Sequence, residues 1–181
     1  MNRYRRLRGD LLDRRVPAPP LTSGEDAALR LLLVCYGNSC RSPMAEGLVR
    51  ARLAEEGLLG RVLVDSAGTE AGDPGAPPNW RAREVARRHG LAIGDLRSRW
   101  LVPEDLDRFD RIYAFDRENL DSILSLARTK EQAEKVSLLG VDEIADPVRG
   151  GDEEYEACFA AIERAAAPLL EDVRSRLERV R

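Results

Sequence analysis

A chain of 181 residues, 43% hydrophobic and 34% charged, is long enough for one packed domain with an appendage, and a formal charge of −3 gives no general attraction for nucleic acid. Three cysteines are too few, and odd in number, for a secreted disulfide scaffold. No apolar run is long enough to span a bilayer and the arginine-rich start lacks the apolar stretch of a secretory signal, so a cytoplasmic location without membrane attachment is expected.

In chain order, residues 1–27 read as a basic, proline-containing N-terminal extension. Tyr4, Leu7 and Leu11 have helical spacing, but Pro17, Pro19 and Pro20 separate them from the rest of the chain. Residues 28–181 read as a single domain. The run "LRLLLV" from Leu29 is almost wholly apolar, as in a strand buried on both faces. "SPMAEGLVRARLAEEG" comes next as a helix, with Ser42 predicted as its N-cap, Pro43 in its first position and Gly57 at its end. "RVLVDS" reads as a second strand, "GDPGAPPN" as a loop, and "WRAREVARRHG" as a helix stopped by Gly90. "DRIYAF" is a third strand, "RENLDSILSLA" a helix and "KVSLLG" a fourth strand, leading into the loop "VDEIADPVRGG". The tail from residue 152 reads as one long helix with a kink at Pro168.

This alternation predicts a three-layer α/β domain: a four-stranded parallel sheet with helices on both faces and a phosphate-binding loop after the first strand. Working sites in such sheets lie beyond the carboxyl ends of the strands. The loops after strands one and four should therefore meet, bringing Cys35 and Asp146 together.

The loop itself has the spacing Cys-x5-Arg-Ser. Gly37 and Asn38 are residue types that readily take left-handed backbone angles, and such turns can direct successive amides inward as an anion-binding nest. The helix after the loop adds free N–H groups and the positive end of its dipole. Arg41 adds a planar fork for two oxygens, so a phosphate dianion is the natural occupant. The same positive field favours thiolate over thiol and suits Cys35 to attack phosphorus. A buried, inert strand-end cysteine needs neither the Gly-Asn turn nor the arginine. The absence of a Gly-Lys-Ser run after the loop argues against a nucleotide triphosphatase.

"VCYGNSCRSPMAEG" resembles the active-site loop of the low-molecular-weight protein tyrosine phosphatases. "DSAGT" (65–69), "FDRIYAFDRENL" (109–120) and "DP" (146–147) fall in that family's order, so the likeness covers most of residues 29–181. The resemblance implies a metal-independent, cofactor-free phosphomonoester hydrolase that works through a phosphocysteine. Cys35 would be the nucleophile, Arg41 the residue that holds phosphate, and Asp146 the general acid and then base. Tyr36, Gly37, Asn38, Ser39, Cys40 and Ser42 would form the phosphate loop, with Ser66 supporting it. Cys40 would be a redox partner that captures an oxidised Cys35, whereas Cys158 reads as core. The implied partner is a phosphorylated protein or a small phosphomonoester.

The sequence departs from the family around the substrate. Gly72 and Val148, with Arg149 after it, stand where tyrosine-directed members carry aromatics, and Tyr36 is left to replace one of them. Trp80 reads as packing and His89 as a helix-end residue. Ser39 offers a hydroxyl where tyrosine phosphatases of this type tend to be apolar and the related protein arginine phosphatases tend to have threonine. A phosphoarginine phosphatase is therefore the alternative reading. A thioredoxin-coupled arsenate reductase on this fold needs two more cysteines near the third strand, where "IYAFDRENL" has none, and a phosphate-binding module without turnover would need neither thiolate nor acid.

Overall fold

A computed structural model describes residues 27–179; the expected helical spacing in the N-terminal extension lies outside the described residues. Strand β1 (Leu29–Cys35) leads to α1 (Arg41–Glu55), and β2 (Val62–Gly68) to α2 (Trp80–Arg88). A short α3 (Asp105–Arg108) precedes β3 (Arg111–Ala114). Then come α4 (Arg117–Leu124), α5 (Lys130–Glu134), β4 (Val136–Leu138) and the long α6 (Asp152–Arg179). The four strands form one parallel sheet in the order β2-β1-β3-β4.

The central place of β1 explains its unbroken apolar run. Leu31, Leu33 and Cys35 pack on one face with α1, α2 and α6, while Leu32 and Val34 pack on the other with Leu106 of α3 and Ile123 of α4. Alternate side chains thus feed two cores, the three-layer arrangement expected of an α/β domain. In α6 the buried residues Tyr155, Phe159, Ile162, Ala166, Leu170, Val173 and Leu177 recur at helical spacing and lay one stripe on the first face. Pro168 sits on the solvent side of that helix, which runs through it without interruption. No helix among the described residues is long and apolar enough to cross a membrane.

Two local expectations change. Helix α1 begins at Arg41 with Cys40 in the N-cap place, so Ser42 and Pro43 lie inside its first turn. Ser42 is not the cap because its hydroxyl is taken by Asn38 and Cys35, and Cys40 makes no side-chain cap bond. The helix start is thereby left open to an anion. Strand β2 also runs two residues beyond Ser66, to Gly68, which pairs with the segment at Trp100. The helices α3 and α5 are too short to have left a periodic signal.

Candidate active site

The chain leaves β1 at the buried Cys35, makes a five-residue loop and enters α1 at Arg41. The loop is held by its carbonyls: Thr69 N–H donates to Cys35 at 3.0 Å, Glu70 N–H to Tyr36 at 2.8 Å and Asn79 N–H to Ser39 at 2.8 Å. Among the described residues, the amides of residues 36–40 make no hydrogen bond. A loop whose carbonyls are engaged and whose amides are not is suited to an anion.

Asn38 takes the left-handed conformation, with φ 49°. Its side chain fixes that turn, accepting from Arg99 N–H at 2.9 Å and donating to Ser42 and Ser66, each at 2.9 Å. Gly68 is required here, since a Cβ would lie 2.8 Å from the Tyr36 carbonyl and 2.9 Å from the Asn38 nitrogen. The glycine of "DSAGT" therefore lets β2 pass directly behind the loop.

Arg41 is 2% exposed yet keeps its charge in company. Nη1 pairs with Asp116 and donates to the Ile144 carbonyl at 3.0 Å, and Nη2 pairs with Asp146 at 2.7 Å. Burial works against the guanidinium, but Cys35, Asp116 and Asp146 outweigh it and hold its pKa above the ordinary value. Asp146, one-third exposed, also accepts from Val148 N–H at 3.0 Å. Cys35 Sγ lies 3.1 Å from Ser42 Oγ. The structure thus gathers Cys35, Arg41 and Asp146 at the carboxyl edge of the sheet.

Cys40 points elsewhere, with its sulfur 3.2 Å from Tyr155 Oη and 3.5 Å from Ser39 Oγ. Burial pushes its thiol up to about 11, against the opposing hydrogen bonds of Tyr155 and Ser39. Cys158 is buried in α6 and pushed up to about 12 by desolvation. His89 stacks on Phe159 at 4.2 Å and pairs with Glu156 at 2.8 Å, a helix-end contact. The Trp80 ring lies under the Arg81 guanidinium at 4.4 Å.

Beside the loop is a cavity of about 420 Å³ lined in part by Tyr36, Ser39, Glu70, Gly72, Asp73 and Val148. Arg149 is not among its lining residues. Asp116 and Glu46 had no assigned role in the sequence. Asp116 carried one local signal, an aspartate between a strand and a helix, and it does cap α4 through Asn119 N–H at 2.7 Å. Glu46 carried none, being one of the two glutamates of α1. It is 4% exposed, accepts from Ser66 Oγ at 2.7 Å and pairs with Arg50 at 3.0 Å.

The family model described as "Low molecular weight phosphotyrosine protein phosphatase" matches residues 30–179. The chain belongs to this family. It is 37% identical over 134 residues to the low molecular weight protein-tyrosine-phosphatase YfkJ of Bacillus subtilis, a match covering 74% of this chain and 86% of the relative. A protein tyrosine phosphatase from Entamoeba histolytica superposes with a TM-score of 0.76 at 28% identity, over 81% of this chain and 97% of the other. A mutant of the arginine phosphatase YwlE with a phosphorylated active-site serine superposes with a TM-score of 0.72 at 26% identity, over 81% and 96%. As a member of the low-molecular-weight phosphatases, this protein is a phosphatase of the protein-tyrosine type with the family's four-stranded parallel fold.

Proposed function

We infer that the protein hydrolyses phosphomonoesters of proteins through a phosphocysteine on Cys35. The observation that carries this reading is the meeting of Cys35, Arg41 and Asp146 around a loop whose amides make no hydrogen bond among the described residues. The Cys35 sulfur attacks phosphorus and the bond from phosphorus to the leaving oxygen breaks. Asp146 supplies that oxygen with a proton. Asp146 then takes a proton from water as the water attacks phosphorus, the S–P bond breaks, and phosphate leaves. Arg41 and the loop amides balance the charge on the phosphoryl oxygens, so the residues present need no metal. Arg41 pairs with Asp146 at 2.7 Å. A bound phosphoryl group competes for the guanidinium and releases the carboxyl for proton transfer. Cys40 serves as the redox partner of Cys35, and the protein works in the cytoplasm.

A second reading, phosphoarginine hydrolysis, is favoured by the cavity wall. Tyr36 is its aromatic contact, Gly72 and Val148 offer no ring, and Ser39, Glu70 and Asp73 place a hydroxyl and two carboxylates there. A departing guanidine becomes a cation that carboxylates stabilise, whereas a phenyl ring gains from aromatic walls. The similarity to YwlE agrees with this reading.

One experiment tests both: kcat/KM on phosphotyrosine and phosphoarginine peptides, in EDTA, for the parent, Cys35→Ser, Asp146→Ala and Ser39→Ile. Cys35→Ser should abolish turnover, and Asp146→Ala should lose roughly 10²–10⁴-fold on substrates with poor leaving groups. Turnover by Cys35→Ser, or inhibition by EDTA, sinks the mechanism. Under the second reading the parent prefers phosphoarginine and Ser39→Ile moves the preference toward phosphotyrosine. An unchanged preference removes Ser39 from recognition.

A further inference from the structure

Glu46 lies in the second turn of α1, buried, with no part in the attack, the proton transfer or the grip on phosphate. Its carboxylate nevertheless ends a continuous chain of hydrogen bonds that starts on the nucleophile. Cys35 Sγ lies 3.1 Å from Ser42 Oγ, which accepts from Asn38 Nδ2 at 2.9 Å. Asn38 Nδ2 also donates to Ser66 Oγ at 2.9 Å, and Ser66 Oγ donates to Glu46 Oε2 at 2.7 Å.

The direction of every bond follows from valence. The Asn38 amide cannot be flipped, because its Oδ1 accepts from the Arg99 N–H at 2.9 Å. Both Nδ2 hydrogens therefore go to serine oxygens. Each serine then has one hydroxyl proton left to place. Ser66 gives its proton to Glu46. Ser42 keeps its proton for Cys35, since the other acceptor within reach, the Ala67 carbonyl, is 3.5 Å away. A carboxylate at position 46 accepts without offering a proton in return. A neutral carboxyl is a weaker acceptor, and its own proton competes with Asn38 for the Ser66 oxygen.

We propose that Glu46 is a positioning residue for the phosphatase reaction: its buried carboxylate fixes the direction of the Ser66–Asn38–Ser42 chain, and so the left-handed turn at Asn38 and the hydroxyl presented to Cys35. The proposal rests on the reading of Cys35 as nucleophile. Among the described residues, the charged groups that act on Glu46 are Arg50 of its own helix at 3.0 Å and Asp65 of β2, and Asp65 is itself paired with Arg99 at 2.9 Å. Burial holds the Glu46 carboxyl up at about 7; Asp65 adds to the rise, while Ser66 and Arg50 oppose it. The anchoring carboxylate is present above that pH and is lost as pH falls through it.

The test measures kcat/KM on an aryl phosphate from acid to alkaline pH for the parent, Glu46→Gln, Ser66→Ala, the double variant and Cys35→Ser. Titration of the substrate is common to all and cancels in ratios. Above neutral pH the parent should exceed Glu46→Gln by about tenfold, the scale of one hydrogen bond to a charged group. That ratio should shrink as pH falls through about 7, where the parent loses its carboxylate. The double variant should be no worse than the poorer single variant, because both changes cut the same chain. A folded Glu46→Gln with a constant ratio overturns the proposal, as do losses that multiply in the double variant. If Glu46→Gln does not fold, Ser66→Ala decides, since it cuts the chain by removing one oxygen. The parent's advantage over it must then shrink in the same pH window, and a constant ratio overturns the proposal. Turnover by Cys35→Ser would overturn the nucleophile reading and the proposal with it, a failure told apart from the others because it shows in that variant alone.

Discussion

Two cysteines in one loop meet very different surroundings. Cys35 faces Ser42 and the cation of Arg41, whereas Cys40 turns toward Tyr155 of α6 and stays a thiol well above neutral pH. That difference suits Cys35 to attack, whereas the raised pKa of Cys40 works against the rescue proposed for it, which needs a test of its own. In the rescue, a Cys35 sulfenic acid condenses with the Cys40 thiol to a disulfide and water, and an added thiol restores both. Cys40→Ser should leave peroxide inactivation intact but make it irreversible by dithiothreitol. Equal recovery of parent and variant would rule the role out. At this scale the reactive residues were legible, because nucleophile, arginine and turn lie within seven positions. Ser66 was named through the family resemblance as a support of the loop, but the backbone partner that orients Asn38 was not legible. Asn38 depends on the backbone of Arg99, sixty-one residues on, and no local pattern records that contact.

Elements decide how Arg41 is aimed. It leaves the first turn of α1 and is met by Asp116, which at the same time caps α4. One carboxylate therefore joins two helices on opposite faces of the sheet through its two oxygens. Asp116→Asn keeps an acceptor for the cap but loses the charge, and Asp116→Ala loses both. Thermal or urea unfolding should rank parent, Asn and Ala in that order, with the cap alone contributing about 1 kcal/mol. Both variants should also bind inorganic phosphate more weakly, because the guanidinium has lost one of its two carboxylate guides. Equal stability of Asn and Ala would show that the cap contributes nothing. Predicted strands and major helices matched the elements found, since each carries its own periodicity. The start of α1 was misplaced by a reading of Ser42 as a cap. Its hydroxyl had a competing partner in the loop, and the nearest sequence neighbours could not reveal the competition.

For the molecule as a whole, β1 divides its side chains between two cores, and α6 seals one of them over its full length. Ile162, fully buried in α6, lies two turns beyond the Tyr155 contact with Cys40. Ile162→Ala should cost about 2–5 kcal/mol of folding stability, the usual range for such a truncation. Turnover per folded molecule should stay at the parent's level, as measured well below the unfolding transition. A proportional fall in turnover would mean that α6 packing reaches the loop. Period and composition, which are local properties of the chain, determined the α/β class, the order of strands and helices, and the place of an anion loop after the first strand. The strand order also brought Asp146 to that loop, and only the tertiary structure decided that Asp116 and Glu46 join it. Asp116 lies 75 positions from Arg41, and Glu46 reaches Ser66 across 20. Such pairings are set by how crossovers return each strand to the sheet, and a sequence read along its length does not display that register.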